Sequence, residues 1–160
     1  MTTDDDRATE LLDAVVARDL ATVARLGGLP PALPAEWVVT RLGGDPEAYV
    51  RFFLGDPVQE AFWSPTSPAG FDRLKVWFRD DAVVKLEGEW PELDPAADSV
   101  LGPPERRFED RHEDVWASVG VALTRQEPGG RFTALSVFAP TTPDEYGRDL
   151  AAHEEYREWD

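Results

Sequence analysis

The chain contains no cysteine, so disulfides, thiolate nucleophiles and Cys-ligated zinc or iron–sulfur sites are all excluded. Basic charge is scarce as well: 16 Lys and Arg stand against 32 Asp and Glu, a formal charge of −16 over 160 residues. That balance argues against binding nucleic acid or an anionic membrane surface, because both run on Lys and Arg. Long apolar runs are missing too; nothing approaches the roughly 18 residues that cross a bilayer as a helix. The start, Met1-Thr2-Thr3-Asp4-Asp5-Asp6, is acidic where a secretory signal is basic, and a cytoplasmic location is the expectation. Catalytic signatures are equally lacking, with no Gly-x-Ser-x-Gly, His-Glu-x-x-His, phosphate-binding loop or dinucleotide fingerprint. Only two lysines, Lys75 and Lys85, stand beside many arginines, a bias typical of a GC-rich, actinobacterial type of genome.

What is present suits a globular domain: 42% hydrophobic and 11% aromatic residues exclude disorder along the whole chain. From Thr9 to Leu26, Leu11, Leu12, Val15, Val16, Leu20, Val23 and Leu26 recur at three- and four-residue steps, the stripe of an amphipathic helix. Arg18-Asp19 is a candidate break, and Gly27-Gly28 with Pro30-Pro31 a stop. Further helices are expected over Ala35–Leu42 and from Asp45-Pro46 to Leu54. Beyond the Ser64–Gly70 loop the pattern alternates. Phe71–Phe78 places Leu74, Val76 and Phe78 on one face and Arg73, Lys75 and Trp77 on the other. A turn at Asp80-Asp81 leads into Ala82–Trp90, with Val84 and Leu86 on one face and Val83, Lys85, Glu87 and Glu89 opposite. A short helix over Pro95–Leu101, a hairpin of Val115–Arg125 with Arg131–Phe138, and a closing helix over Asp144–Trp159 complete the chain. The expected fold is a single α+β domain: a helical layer (residues 1–60) on a four- to five-stranded antiparallel sheet with a C-terminal helix (residues 61–160). Leu74, Val76, Phe78, Val84, Leu86, Val119, Val121 and Leu123 should meet Leu11, Leu12, Val15 and Val16 in its core.

The two histidines sit in charge runs, Glu109-Asp110-Arg111-His112-Glu113-Asp114 and His153-Glu154-Glu155. Neighbouring residues on a helix or strand point in different directions, so neither run presents a facial ligand set, and no metal or cofactor is expected. Residues 1–80 carry 13 acids and 8 bases and residues 81–160 carry 19 and 8, so the negative charge concentrates in the second half. That field suits either a basic partner or plain solubility. Trp77 and Trp116 fall out of phase with the apolar strand positions. They are anchors on an open, charged sheet face, or ordinary core if helices cover both faces.

The stretch from Asp98 through Leu101-Gly102-Pro103-Pro104 and Phe108 to Asp110, followed by Val115-Trp116 and Val119-Gly120-Val121, resembles a recurring unit. A short helix ending in Leu-Gly-x-Pro, a polar loop and an aromatic-bearing strand occur together in the β-lactamase inhibitor protein fold and in outer-membrane assembly lipoproteins. The later Gly129-Gly130-Arg131-Phe132 turn, Phe138-Ala139-Pro140 and Tyr146 resemble small actinobacterial proteins, some of them immunity-like. The resemblance implies a binding module built on an antiparallel sheet and brings no catalytic residues. The leading expectation is thus a non-enzymatic immunity protein or inhibitor masking a basic partner such as a toxin domain. Trp77 and Trp116 would anchor it, and Glu87, Glu89, Glu109 and Asp110 would supply complementary charge. A small enzyme or ligand-binding domain with a pocket between helices and sheet, and a nucleic-acid mimic, are the alternatives.

Overall fold

A computed structural model describes residues 4–31, 33–34, 37, 49–52, 59–63, 73–79, 82–89, 100–109, 112–125 and 130–150. Two helices open the chain, α1 (Asp4–Val16) and α2 (Leu20–Leu26). The break between them falls at Arg18-Asp19, as the polar pair in the apolar stripe suggests: Arg18 takes a left-handed φ of 59° and Asp19 caps α2. The cap is specific, since the Asp19 carboxylate accepts from the Thr22 amide at 3.2 Å and the Thr22 hydroxyl at 2.7 Å. Gly27 ends α2 in the left-handed conformation, and the Arg7 guanidinium donates to the Leu26 and Gly27 carbonyls there.

Among the described residues nine strands follow: β1 (Leu33–Pro34), β2 (Tyr49–Phe52), β3 (Gln59–Trp63), β4 (Arg73–Arg79), β5 (Ala82–Glu89), β6 (Arg106–Phe108), β7 (Glu113–Trp116), β8 (Val121–Arg125) and β9 (Phe132–Phe138). They form one antiparallel sheet in the order β2-β3-β4-β5-β9-β8-β7-β6, with β1 beside the start of β5. The last described segment is a short helical turn, α3 (Pro143–Glu145), capped by Thr142 and continued by a π turn over Tyr146–Leu150. Among the described residues no helix is long and apolar enough to cross a membrane.

The α+β class with an antiparallel sheet is as expected, but the sheet is wider and starts earlier. Tyr49–Phe52 is a strand paired with β3, not the third helix, and Gln59–Trp63 joins the sheet where no element was expected. The run Tyr49-Val50-Arg51-Phe52 is aromatic and β-branched, so it fits a pleated surface once a partner strand is available. The expected 115–125 strand is two antiparallel strands. Ala117–Val119 forms a 3-10 turn closed by Gly120 at φ 67°, which sets Trp116 opposite Val121. In β5, a bulge changes the register: Trp77 pairs with Lys85 but Phe78 pairs with Val83, so Val84 is the extra residue. Val83 therefore joins Leu86 in the core, and Val84 is half-buried. The side chains of Leu74, Val76 and Phe78, nearly all of the expected helices over 35–42 and 95–101, and the tail beyond Leu150 lie outside the described residues.

The main core lies between α1–α2 and one sheet face. Ala8, Leu11, Leu12, Val15, Leu20 and Val23 pack against Val83, Leu86, Trp116, Val121, Leu123, Leu135 and Val137. Val119, expected on the strand, packs against this core from the 3-10 turn. Three stretches of backbone meet at Phe138, whose carbonyl accepts from the Leu29 amide at 3.0 Å and whose amide donates to the Gly120 carbonyl at 3.0 Å. A Cβ on Gly120 would stand 2.1 Å from the Phe138 oxygen, and one on Gly28 2.5 Å from it.

Gly120→Ala combines that clash with a left-handed backbone, so it should destabilise the fold by about 3 kcal/mol or more in urea unfolding. An unchanged midpoint would contradict the crossing. Asp19 gives a pH-dependent check. The Thr22 hydroxyl, followed by the Thr22 amide, holds its carboxyl below the usual 3.8. A lowered folded value means that the cap's contribution is present above pH 3.8 and lost as pH falls through the folded value. NMR titration should place the Asp19 midpoint below 3.8, and Asp19→Asn should flatten the acid limb of the stability curve.

Candidate functional site

The other sheet face carries charge into the interior. Register places Glu87 opposite Ser136, Ser136 opposite Ala122, and Ala122 opposite Val115, with Lys85 opposite Phe138 and Glu113 opposite Thr124. Side chains alternate across a strand, so these positions share the face turned away from α1 and α2. Tyr146 from the π turn lies over them, its ring centroid 4.6 Å from Phe138 and 6.0 Å from Phe108. Val115, Ala117, Ala122 and Phe138 complete this second, smaller core. Gly147 faces the Phe108 ring, where a Cβ would stand 3.0 Å from the nearest ring atom.

A linear hydrogen-bond chain runs through this core. The Lys85 ammonium donates to the Tyr146 hydroxyl at 2.9 Å, and that hydroxyl donates to the Glu113 carboxylate at 2.7 Å. The Lys85 nitrogen also lies 5.0 Å from the ring centroids of both Trp77 and Tyr146, within cation–π range. Beside it, the Ser136 hydroxyl donates to Glu87 at 3.1 Å. The phenol accepts from the ammonium and donates to the carboxylate at once, which a hydroxyl can do. Lys85, Tyr146 and Glu113 are 5%, 0% and 6% exposed, so the chain is almost wholly withdrawn from bulk solvent. The arrangement is a latch that fixes α3 and its π turn to the sheet.

Around the β6–β7 turn, reaching side chains of both sheet faces, lies a pocket of about 550 Å³ lined by Glu113 and Asp114 and by Arg107, Phe108 and Arg125. Among the described residues, Glu109, His112 and Gly130 line it as well. The turn is held by the His112 amide donating to the Glu109 carbonyl at 3.2 Å and the Arg125 amide donating to the His112 carbonyl at 2.9 Å. His112 consequently sits at φ 55°. Asp114 is buried, accepts from Arg125 Nη2 at 3.1 Å and pairs with Arg125 Nη1 at 3.1 Å, with Arg107 Nε 3.5 Å away. Arg125 in turn lies 4.0 Å over the Phe132 ring, so packing fixes its direction.

The six expected partner-binding residues do not form one surface. Trp77 and Trp116 are 2% and 3% exposed. Trp77 is on the latch face, beneath Lys85. Trp116 belongs to the opposite, helix-covered core, and its indole donates to the Gly102 carbonyl at 3.1 Å. The 3-10 turn resets the alternation after Trp116, which is why a continuous-strand phase put it on the wrong side. Glu87 is buried on Ser136, Glu89 is half-buried, Glu109 is exposed at the pocket, and Asp110 lies outside the described residues. Sequence reasoning missed Lys85, Glu113, Asp114 and Arg125. The available signal was a lysine, Lys85, inside an apolar strand. Among the described residues, no three His, Asp or Glu side chains converge as metal ligands. No family model, curated protein or solved structure matches the chain.

Tyr146→Phe removes both latch hydrogen bonds while keeping the ring. It should destabilise the fold by about 1–3 kcal/mol, because two buried charged groups each lose a partner. Amide exchange over residues 143–150 should accelerate more than in the sheet core. Unchanged exchange there would show that the hydroxyl does not hold α3.

Proposed function

We propose that the chain is a non-enzymatic acidic binding module that masks a basic protein partner, such as a toxin domain. The observation that carries this reading is the exposed carboxylate rim around β6, Glu105, Glu109, Asp144 and Glu145, on a chain of formal charge −16. Asp144 reaches across to Arg106 and is 81% exposed, and the Glu109 carboxylate has no hydrogen-bond or ion-pair partner among the described residues. Such a rim attracts a basic surface over a distance and selects against acidic ones. The resemblance of the 98–123 unit to the β-lactamase inhibitor protein fold supports the same class. With both tryptophans in the cores, the contact falls to the rim and the half-buried Phe108 rather than to Trp77 or Trp116.

A second reading, a ligand-binding domain, is favoured by one feature, the pocket in which His112 stands beside Glu113 and Asp114.

The masking reading is tested by affinity capture from the source organism, followed by stopped-flow kinetics. A basic partner is expected, with association slowing about tenfold or more as the screening length shrinks from roughly 30 Å at 0.01 M salt to about 8 Å at 0.15 M. Glu109→Lys with Asp144→Lys should slow association and leave dissociation nearly unchanged, whereas Trp116→Ala should act through unfolding. A neutral or acidic partner, or salt-independent association, would overturn the reading.

A further inference from the structure

The pocket at the β6–β7 turn contains both signs of charge, and they are unequally engaged. Asp114 is held by Arg125 and approached by Arg107, and Glu113 accepts from Tyr146. Three other lining groups keep open capacity. Arg107, whose side chain is 59% exposed, touches Asp114 through Nε alone, so its terminal nitrogens donate to nothing among the described residues. The His112 imidazole makes no hydrogen bond among the described residues, although its backbone is fixed on both sides by the turn. Glu109 is the matching negative group, exposed and with its carboxylate likewise without a described partner.

Among the described lining residues, a lone anion meets three carboxylates, Glu109, Glu113 and Asp114, and a lone cation meets the two guanidinium groups. A ligand that carries both charges can use Arg107 and His112 at one end and Glu109 at the other, with neither end facing only its own sign. We propose that the pocket binds a small zwitterion of the amino-acid class, its carboxylate on Arg107 and His112 and its ammonium on Glu109. The volume of about 550 Å³ is in the range of small-molecule sites, roughly 300–1,000 Å³. A few convergent polar groups are part of their usual composition. Asp114 and Arg125 are positioning residues, since their mutual contacts hold the wall on which Arg107 rests. The proposal rests on the ligand-binding reading and requires no protein partner.

The test is an NMR titration of the full chain with the common α-amino acids and a series of ω-amino acids, which vary the charge separation. The strongest binder is then compared with its N-acetyl form, an anion, and its methyl ester, a cation. Saturable shifts are expected at the amides of Arg107, Phe108, Glu109, His112, Arg125 and Gly130, with each blocked form about tenfold weaker or worse, the cost of one lost charged contact. Arg107→Gln and Glu109→Gln should each weaken binding by about tenfold with the melting temperature retained, because both side chains are exposed. The proposal is overturned if no amino acid in the panel shifts these amides, if a blocked form binds as tightly as the zwitterion, or if Glu109→Gln binds like the wild type. A basic protein captured alongside a silent titration would uphold masking and overturn this site; the reverse pair would do the opposite.

Discussion

The structure turns on Phe138. Its carbonyl receives the chain leaving α2 through Leu29, its amide closes the turn between β7 and β8 through Gly120, and its ring seats Tyr146. Backbone and side chain of one residue thus join the helical layer, the central strands and α3. The approach is close enough that Gly28 and Gly120 cannot carry a Cβ without meeting the Phe138 oxygen. A shift at this crossing would move the helix-facing core and the Tyr146 hydroxyl together, because interiors are close-packed and transmit displacement.

The two faces of the sheet solve different problems. Towards α1 and α2 the contacts are apolar, and hydrophobic burial suffices. On the other face Lys85, Glu87 and Glu113 are buried, which is costly unless every charge is met. The Trp77 ring and Tyr146, through its ring and its hydroxyl, meet Lys85, and hydroxyls meet both carboxylates. Hydrogen bonds of this kind add less stability than specificity in this setting, since only one placement of the π turn puts Tyr146 Oη between the ammonium and the carboxylate. The latch therefore locates α3 on the sheet, and through Phe108 and Glu113 it also shapes the pocket.

Charge is distributed accordingly. Asp114 and Glu113 are buried on internal partners, while Glu105, Glu109, Asp144 and Glu145 are exposed, although Ser118, Arg106 and Thr141 engage Glu105, Asp144 and Glu145. In the masking proposal, long-range attraction comes from the rim. In the ligand-binding proposal, short-range discrimination falls to Arg107, His112 and Glu109 in the pocket beside it. The masking and ligand-binding proposals draw on adjacent but separable features of the same end of the sheet.

The amino-acid sequence by itself determined the class of fold and much of its punctuation. The apolar stripe of α1 and α2, their break at Arg18-Asp19, the stop at Gly27-Gly28, the strands around Lys75 and Leu86 and the β8–β9 hairpin all follow from local periodicity and turn chemistry. The acidic rim was legible as composition, with Glu109 in an acid-rich run. Tertiary structure alone decided the rest. Tyr49–Phe52 became a strand because β3 pairs with it, a non-local choice that its helix-compatible pattern could not make. Val83 and Trp116 changed faces because one extra residue at Val84 and one reversal at Ala117–Gly120 reset a period of two. The burial of Lys85 and Glu113, and so the latch and pocket, depended on Tyr146 arriving from 33 residues beyond Glu113 to satisfy both charges. Periodicity tells which residues alternate; only the packed fold fixes where the alternation is interrupted and which distant group makes a charge tolerable inside.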